Sequence, residues 1–217
     1  MNPSLIIANW KSNKTLSEVE DWLEKFSPNY NSINKTIIIC PSFTLLSEVK
    51  SYLENKKLKI ELGGQNISQF ENGEYTGEVN AAQIKDFANY VLVGHSERRK
   101  NFEETNQILD QKINLVKKYG LIPIFCIQGK DTYIPKGVGI VAYEPIFAIG
   151  TGNSDTPKNA NEVGLAIKRK GYEKFLYGGS INSQNVASFT SMPSIDGVLV
   201  GRASLDPVEF GKIIKLA

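Results

Sequence analysis

The sequence predicts an α/β protein built as a closed (β/α)8 barrel of parallel strands, and three observations carry that reading. Eight short apolar runs recur along the chain with helical segments between most of them. The runs do not alternate apolar with polar residues, so both faces of each strand should be buried, as in a parallel sheet. No run leads into a G-x-G-x-x-G fingerprint or a Walker loop, the usual signatures of an open doubly wound sheet, although an open sheet could also hold eight strands. With 217 residues and 41% hydrophobic content the chain suits one domain over residues 1–217; two domains of about a hundred residues are the alternative.

Taken in order, the strands are expected at 5–8, 36–40, 60–62, 90–93, 122–126, 138–143, 175–177 and 198–200. Ser17-x-x-Glu20 reads as a capping box opening a helix with Val19, Trp22, Leu23 and Phe26 on its apolar face. Ile108, Leu109, Ile113 and Val116 form a second stripe. It closes on Lys117-Lys118-Tyr119-Gly120, with cations and a glycine where a helix carboxyl end favours them. Thr156-Pro157 and Asp206-Pro207 each place a capping side chain before a proline at the first helical position, and Asp206-x-x-Glu209 resembles a capping box. Leu45, Val49 and Leu53, Ile84 and Phe87, and Val163 and Ile167 mark further helices. The connection before the sixth strand is only residues 127–137, with two glycines and a proline. The outer helix there should be missing or reduced to a turn.

Net charge is +2 with acids and bases interspersed, which gives no footprint for nucleic acid or a membrane surface. The amino-terminal apolar segment is too short for a signal peptide and lacks a basic lead, and no run approaches a bilayer span. Cys40 and Cys126 each follow an apolar run and read as buried thiols in a reducing cytosol. The single histidine excludes a His-rich metal cluster.

The most informative stretch runs from Tyr143 to Gly152. Glu144 falls at the carboxyl end of an apolar, β-branched run, and Pro145 ends the strand at once. Uncharged Ile146, Phe147 and Ile149, followed by Gly150 and Gly152, suggest a flap that closes over a ligand. A carboxylate at the root of such a lid is placed as a general base, with burial expected to raise its basicity. The bland reading of a Glu-Pro pair alone is a strand end with a salt-bridged glutamate.

Other polar residues fall at strand ends too: Asn9-Trp10-Lys11, Gly94-His95-Ser96-Glu97-Arg98-Arg99, Tyr177-Gly178-Gly179-Ser180 and Gly201-Arg202-Ala203-Ser204. Singly each is a solvated lysine, a hydrogen-bonding histidine or a turn glycine. Together they would bring an ammonium, an imidazole, a carboxylate and two glycine-bearing loops to one barrel face. Backbone N–H groups at the two loops make an anion nest, so the ligand should carry a phosphate.

These blocks, in this order and spacing, resemble those of triosephosphate isomerases across almost the whole chain. Tyr75-Thr76-Gly77-Glu78 is similar to the loop by which that family dimerises, and Gln65-Asn66 matches the end of its third strand. The resemblance implies a TIM barrel and interconversion of D-glyceraldehyde 3-phosphate and dihydroxyacetone phosphate in glycolysis and gluconeogenesis. It also implies a cytoplasmic homodimer through Thr76 and no metal or organic cofactor. Glu144 would be the base, and His95 a neutral electrophile, a property for which this family is the standing example. Lys11 would supply fixed charge and Asn9 a hydrogen bond, with Glu97 orienting Lys11 or its neighbours. Gly150, Ser180, Gly201 and Arg202 would meet the phosphate, Ser180 also holding the lid, with Ser96, Gly178 and Gly179 in support. Four departures stand out: Phe147 where the family usually has tryptophan, Arg202 for a glycine, Gly129 for a common glutamate, and the shortened fifth connection. An aldolase on the same barrel and a non-catalytic sugar-phosphate binder are the competing readings. The first wants a Schiff-base lysine deep in a strand, and the second could do without Glu144 or His95.

Overall fold

Eight parallel strands close on themselves in chain order, β1 pairing with both β2 and β8. The structure, a computed structural model, describes residues 4–30, 34–148 and 154–217. The strands are β1 (Ser4–Asn9), β2 (Lys35–Cys40), β3 (Glu61–Gly64), β4 (Tyr90–Val93), β5 (Ile122–Ile127), β6 (Ile140–Tyr143), β7 (Lys174–Tyr177) and β8 (Gly197–Val200). Their helices are α1 (Leu16–Phe26), α2 (Leu46–Asn55), α3 (Ala81–Lys85), α4 (Ser96–Asn101), α5 (Asn106–Lys118), α6 (Pro157–Arg169), α7 (Val186–Thr190) and α8 (Pro207–Leu216). The open-sheet alternative is thereby excluded.

The unbroken apolar runs have a direct cause. Along β1, Leu5 and Ile7 belong to the cluster filling the barrel, while Ile6 and Ala8 belong to the layer under the helices. The same division holds on β5, with Ile124 and Cys126 in the first cluster and Phe125 and Ile127 in the second. Every position therefore meets apolar neighbours, and period-2 alternation of polarity disappears. Cys40 and Cys126 are free thiols in the barrel interior.

Helix ends follow local side-chain chemistry, with two shifts from expectation. The box at α1 lies two residues earlier than expected: Thr15 is the cap, and its N–H donates to Glu18 at 2.6 Å. Both Thr15 and Ser17 satisfy the pattern, because Glu18 and Glu20 each stand three residues on. At α8, Asp206 caps Val208 and Glu209 as expected, but the Glu209 side chain does not reach back. It binds Ser183 instead.

No helix joins β5 to β6. The short connection works as a strap: Ile134 and Val138 pack onto the outer core, and Tyr133 Oη donates to the Asp110 carboxylate at 2.8 Å. Lys170 reaches across from the end of α6 to the carbonyl of Lys130 at 2.6 Å. Arg99 also covers this side, lying over the Phe125 ring and donating to the Cys126 carbonyl. Phe125 and Ile127 stay fully buried without a helix above them.

Candidate active site

A cavity of about 630 Å³ opens among the residues that follow the strands and gathers most of the sequence-derived candidates. Asn9, Lys11, His95, Glu97 and Glu144 line it with side chains from β1, β4 and β6; Gly178, Gly179, Ser180, Gly201 and Arg202 line it from β7 and β8. Ser96 borders this group through its backbone, whereas Thr76 lies remote on the exposed β3–α3 connection. Gly150 lies outside the described residues.

Lys11 is held in a left-handed backbone conformation, φ 53°, which an L side chain adopts only when its surroundings impose it. Two side chains do so. Asn9 Oδ1 accepts the Lys11 N–H at 3.1 Å, and Gln65 Nε2 donates to the carbonyls of Lys11 and Cys40, both at 2.9 Å. The Lys11 ammonium pairs with Glu97 at 2.5 Å.

His95 follows β4 across Gly94, whose φ of 73° lets the chain turn sharply into α4. At the amino end of that helix, the Glu97 N–H donates to His95 Nδ1 at 3.2 Å. Nδ1 is thus an acceptor, and the ring proton belongs on Nε2. Nε2 lies 2.8 Å from Glu144 Oε1, and the Ser96 N–H donates to Glu144 Oε2 at 3.2 Å. The imidazole and the carboxylate are 5% and 2% exposed.

Burial pushes the Glu144 pKa up, but His95, the Ser96 N–H and Lys11 together draw it below its ordinary value. The expectation that burial would raise its basicity is therefore reversed while the carboxylate rests against these donors. For His95, burial pulls downward and the adjoining Glu144 pulls upward more strongly, giving a net rise above 6.5. That rise belongs to the Glu144 contact and would end if the carboxylate moved off. The Glu97 N–H, fixed in the backbone, continues to oppose protonation of Nδ1.

The other sector is backbone. The Gly178 N–H donates to the Tyr143 carbonyl at 2.8 Å, tying β7 to β6. A Cβ on Gly179 would fall 2.1 Å from Tyr177 Oη, so only glycine fits there. Tyr177 Oη in turn accepts the Asp155 N–H at 2.7 Å, and Tyr143 Oη donates to the Asp155 carboxylate, anchoring the chain just before α6. Beyond β6, Ile146 and Phe147 are 71% and 61% exposed, while the Ser180 hydroxyl donates to the Ala148 carbonyl at 2.7 Å. Arg202, in the turn Arg202–Leu205 after β8, has no positive φ, so the arginine fits the backbone there without strain. Its guanidinium is exposed and has no acceptor among the described residues.

Two supports of the site were given no role from the sequence. Glu104 Oε1 accepts from both Arg98 Nε and Lys112 Nζ at 2.5 Å, and Lys112 also donates to Asn66 at 2.6 Å. This buried network braces α4, and hence His95, against α5. Removing one partner of such a network leaves an uncompensated charge, at a cost of roughly 3–5 kcal/mol. A signal was available: Lys112 sits inside the apolar stripe of Leu109, Ile113 and Val116. The other is Gln65, the first residue after β3, beside Asn66. Among the described residues no group of three His, Cys, Asp or Glu side chains could hold a metal ion, and no helix is long and apolar enough to cross a membrane.

Comparison with known proteins agrees with this geometry. The family model for triosephosphate isomerase matches residues 4–137 and 133–217. Its two segments meet in the connection that lacks a helix. The triosephosphate isomerase of Mesomycoplasma hyopneumoniae strain 232 is 41% identical over 239 aligned residues, covering 97% of this chain and 98% of the relative. That of Dictyoglomus thermophilum is 40% identical, covering 99% and 100%. That of Dehalococcoides mccartyi strain CBDB1 is 37% identical, covering 100% and 97%. With matches of this extent on a closed eight-stranded barrel, the chain belongs to the triosephosphate isomerase family of isomerases.

Proposed function

We propose that the protein interconverts D-glyceraldehyde 3-phosphate and dihydroxyacetone phosphate through an enediolate, with Glu144 as the base and neutral His95 as the electrophile. The observation that carries this reading is the buried 2.8 Å contact between Glu144 and His95 Nε2 within one cavity. Glu144 leaves the imidazole and the Ser96 N–H for the substrate, where it removes a proton from the carbon beside the carbonyl. His95 then turns its Nε2–H to the carbonyl oxygen, stabilising the enediolate and relaying a proton between the two oxygens. Glu144 returns its proton to the neighbouring carbon, so no net redox change occurs and the proposed mechanism uses no metal or organic cofactor.

Lys11 supplies positive charge beside the developing oxyanion, and Asn9 fixes the Lys11 backbone while presenting its amide to the substrate. The N–H groups around Gly179, Ser180, Gly201 and Arg202 receive the phosphate, with Gly150 assigned to the same role on the family pattern. The lid excludes water from the reactive intermediate, and Ser180 fastens it. Lys11 is ion-paired with Glu97, which disfavours its use as a Schiff-base nucleophile and so the aldolase reading. A coupled assay that consumes dihydroxyacetone phosphate should show turnover of D-glyceraldehyde 3-phosphate. A rate equal to the enzyme-free background overturns the proposal.

The active form is proposed as a cytoplasmic homodimer joined through the loop carrying Thr76. In that loop Phe70 and Tyr75 are partly exposed and stack at 4.1 Å beside exposed Thr76. Light scattering at micromolar concentration should give twice the chain mass; a monomer refutes it.

A further inference from the structure

We infer that Glu209 is a positioning residue for anion binding: by capturing Ser183 it holds the β7–α7 loop in the form that leaves three consecutive backbone N–H groups for a phosphate. The inference rests on the isomerase reading above for its natural ligand.

Glu209 stands in the first turn of α8 and lines the same cavity as His95 and Glu144. A carboxylate there should repel an anionic substrate, so its presence calls for a cause. Both of its oxygens are engaged: Oε1 accepts the Ser183 N–H at 2.7 Å and Oε2 the Ser183 hydroxyl at 3.0 Å. The rest of the loop is equally committed. Asn182 N–H donates to Asn185 Oδ1 at 2.9 Å, and the N–H groups of Gln184 and Asn185 donate to Asn182 Oδ1 at 2.9 and 3.1 Å. Asn185 Nδ2 donates to the Ser180 carbonyl at 2.9 Å.

Every N–H from 182 to 185 is therefore consumed inside the loop or by Glu209. Those of Gly179, Ser180 and Ile181 have no acceptor among the described residues, and all three residues line the cavity. Without Glu209, the Ser183 N–H and hydroxyl would need other acceptors, and the closest supply is the anion or the carbonyls of the nest itself. The carboxylate thus directs the loop's donors: it occupies the pair that would misalign the turn and leaves the three that can converge on a phosphate.

Charge and positioning predict effects in different variants, which makes a decisive test. Inorganic phosphate is the probe, titrated by calorimetry into the full-length protein, alongside KM and kcat for D-glyceraldehyde 3-phosphate. Glu209→Gln removes the charge but keeps the shape; Glu209→Asp keeps the charge but falls short of Ser183. Positioning predicts that the Asp variant binds phosphate about five- to tenfold more weakly and raises KM by the same factor, with kcat within about twofold, whereas the Gln variant, whose amide still reaches the Ser183 N–H and hydroxyl, stays within about twofold throughout. Simple repulsion predicts tighter binding by the Gln variant and no change in the Asp variant, and either result overturns the inference. Should either variant misfold, Ser183→Ala removes one of the two donors from the other side; an affinity equal to that of the unaltered protein overturns the inference equally. An unaltered protein that neither binds phosphate nor isomerises sinks this inference together with the function proposed above. One that does both while its Asp variant is unaffected sinks this inference alone.

Discussion

The two sectors of the cavity are built from different material. Asn9, Lys11, His95 and Glu144 present to the cavity side chains held by other side chains, with Gln65, Glu97 and the Glu104–Lys112–Arg98 network behind them. The β7 and β8 sector offers backbone N–H groups, shaped by an Asn–Ser–Glu lattice and by glycines. A side-chain sector fails when one atom is lost. A backbone sector tolerates a changed side chain provided its conformation survives, and Arg202 needs no positive φ in the turn after β8. The contrast sorts kinetic consequences as well: the first sector should govern kcat and the second KM.

The largest expected effect tests the first half of that division. Glu144→Asp shortens the base by one methylene and should lower kcat by about a hundredfold with KM changed by no more than about threefold. His95→Gln should reduce kcat by a comparable factor, because it removes a proton donor from the carbonyl. Equal losses in kcat and phosphate affinity would show that the two sectors are not separable.

The second prediction concerns charge within the side-chain sector, and the single histidine makes it readable by nitrogen NMR without assignment. In the unaltered protein Glu144 raises the imidazole pKa above 6.5. In Glu144→Gln that influence is gone; burial is then the leading cause, Lys11 adds to it, and the titration should fall below 6.5. The sign follows from which form each cause favours: the carboxylate favours imidazolium, burial favours the neutral ring. A pKa that stays above 6.5 in the variant would mean that Glu144 is not its source. The neutral electrophile would then lose its physical basis.

The same contrast explains what could be read from the sequence. Strands buried on both faces announce themselves as unbroken apolar runs, so all eight were legible to within about two residues, and residues 127–137 were visibly unable to hold a full helix. Chemistry-bearing side chains at strand ends were legible for the same reason, since each follows such a run. The supports were not. Glu209 fits a capping box as well as it fits Ser183, and local spacing cannot distinguish a partner three residues away from one 26 residues away. Thr15 and Ser17 presented the same ambiguity at α1. Glu144's lowered pKa was also out of reach, because it depends on His95 and on the Ser96 N–H, 48 residues away, rather than on burial alone.

The smallest expected effect belongs to Arg202, and it tests the second half of the division. If the β8 turn binds phosphate through its backbone, Arg202→Gly should leave turnover within about twofold, because the N–H groups remain. The guanidinium still matters electrostatically. Lys11, the other cation lining the cavity, is paired with Glu97, whereas Arg202 has no carboxylate partner among the described residues. An exposed charge of this kind contributes no more than about 1 kcal/mol, so KM should rise about two- to fivefold at low salt. That difference should shrink as ionic strength brings the Debye length down to about 8 Å near 0.15 M. A salt-independent loss of tenfold or more would instead mean a direct guanidinium–phosphate hydrogen bond, and the β8 sector would then join the side-chain half of the site.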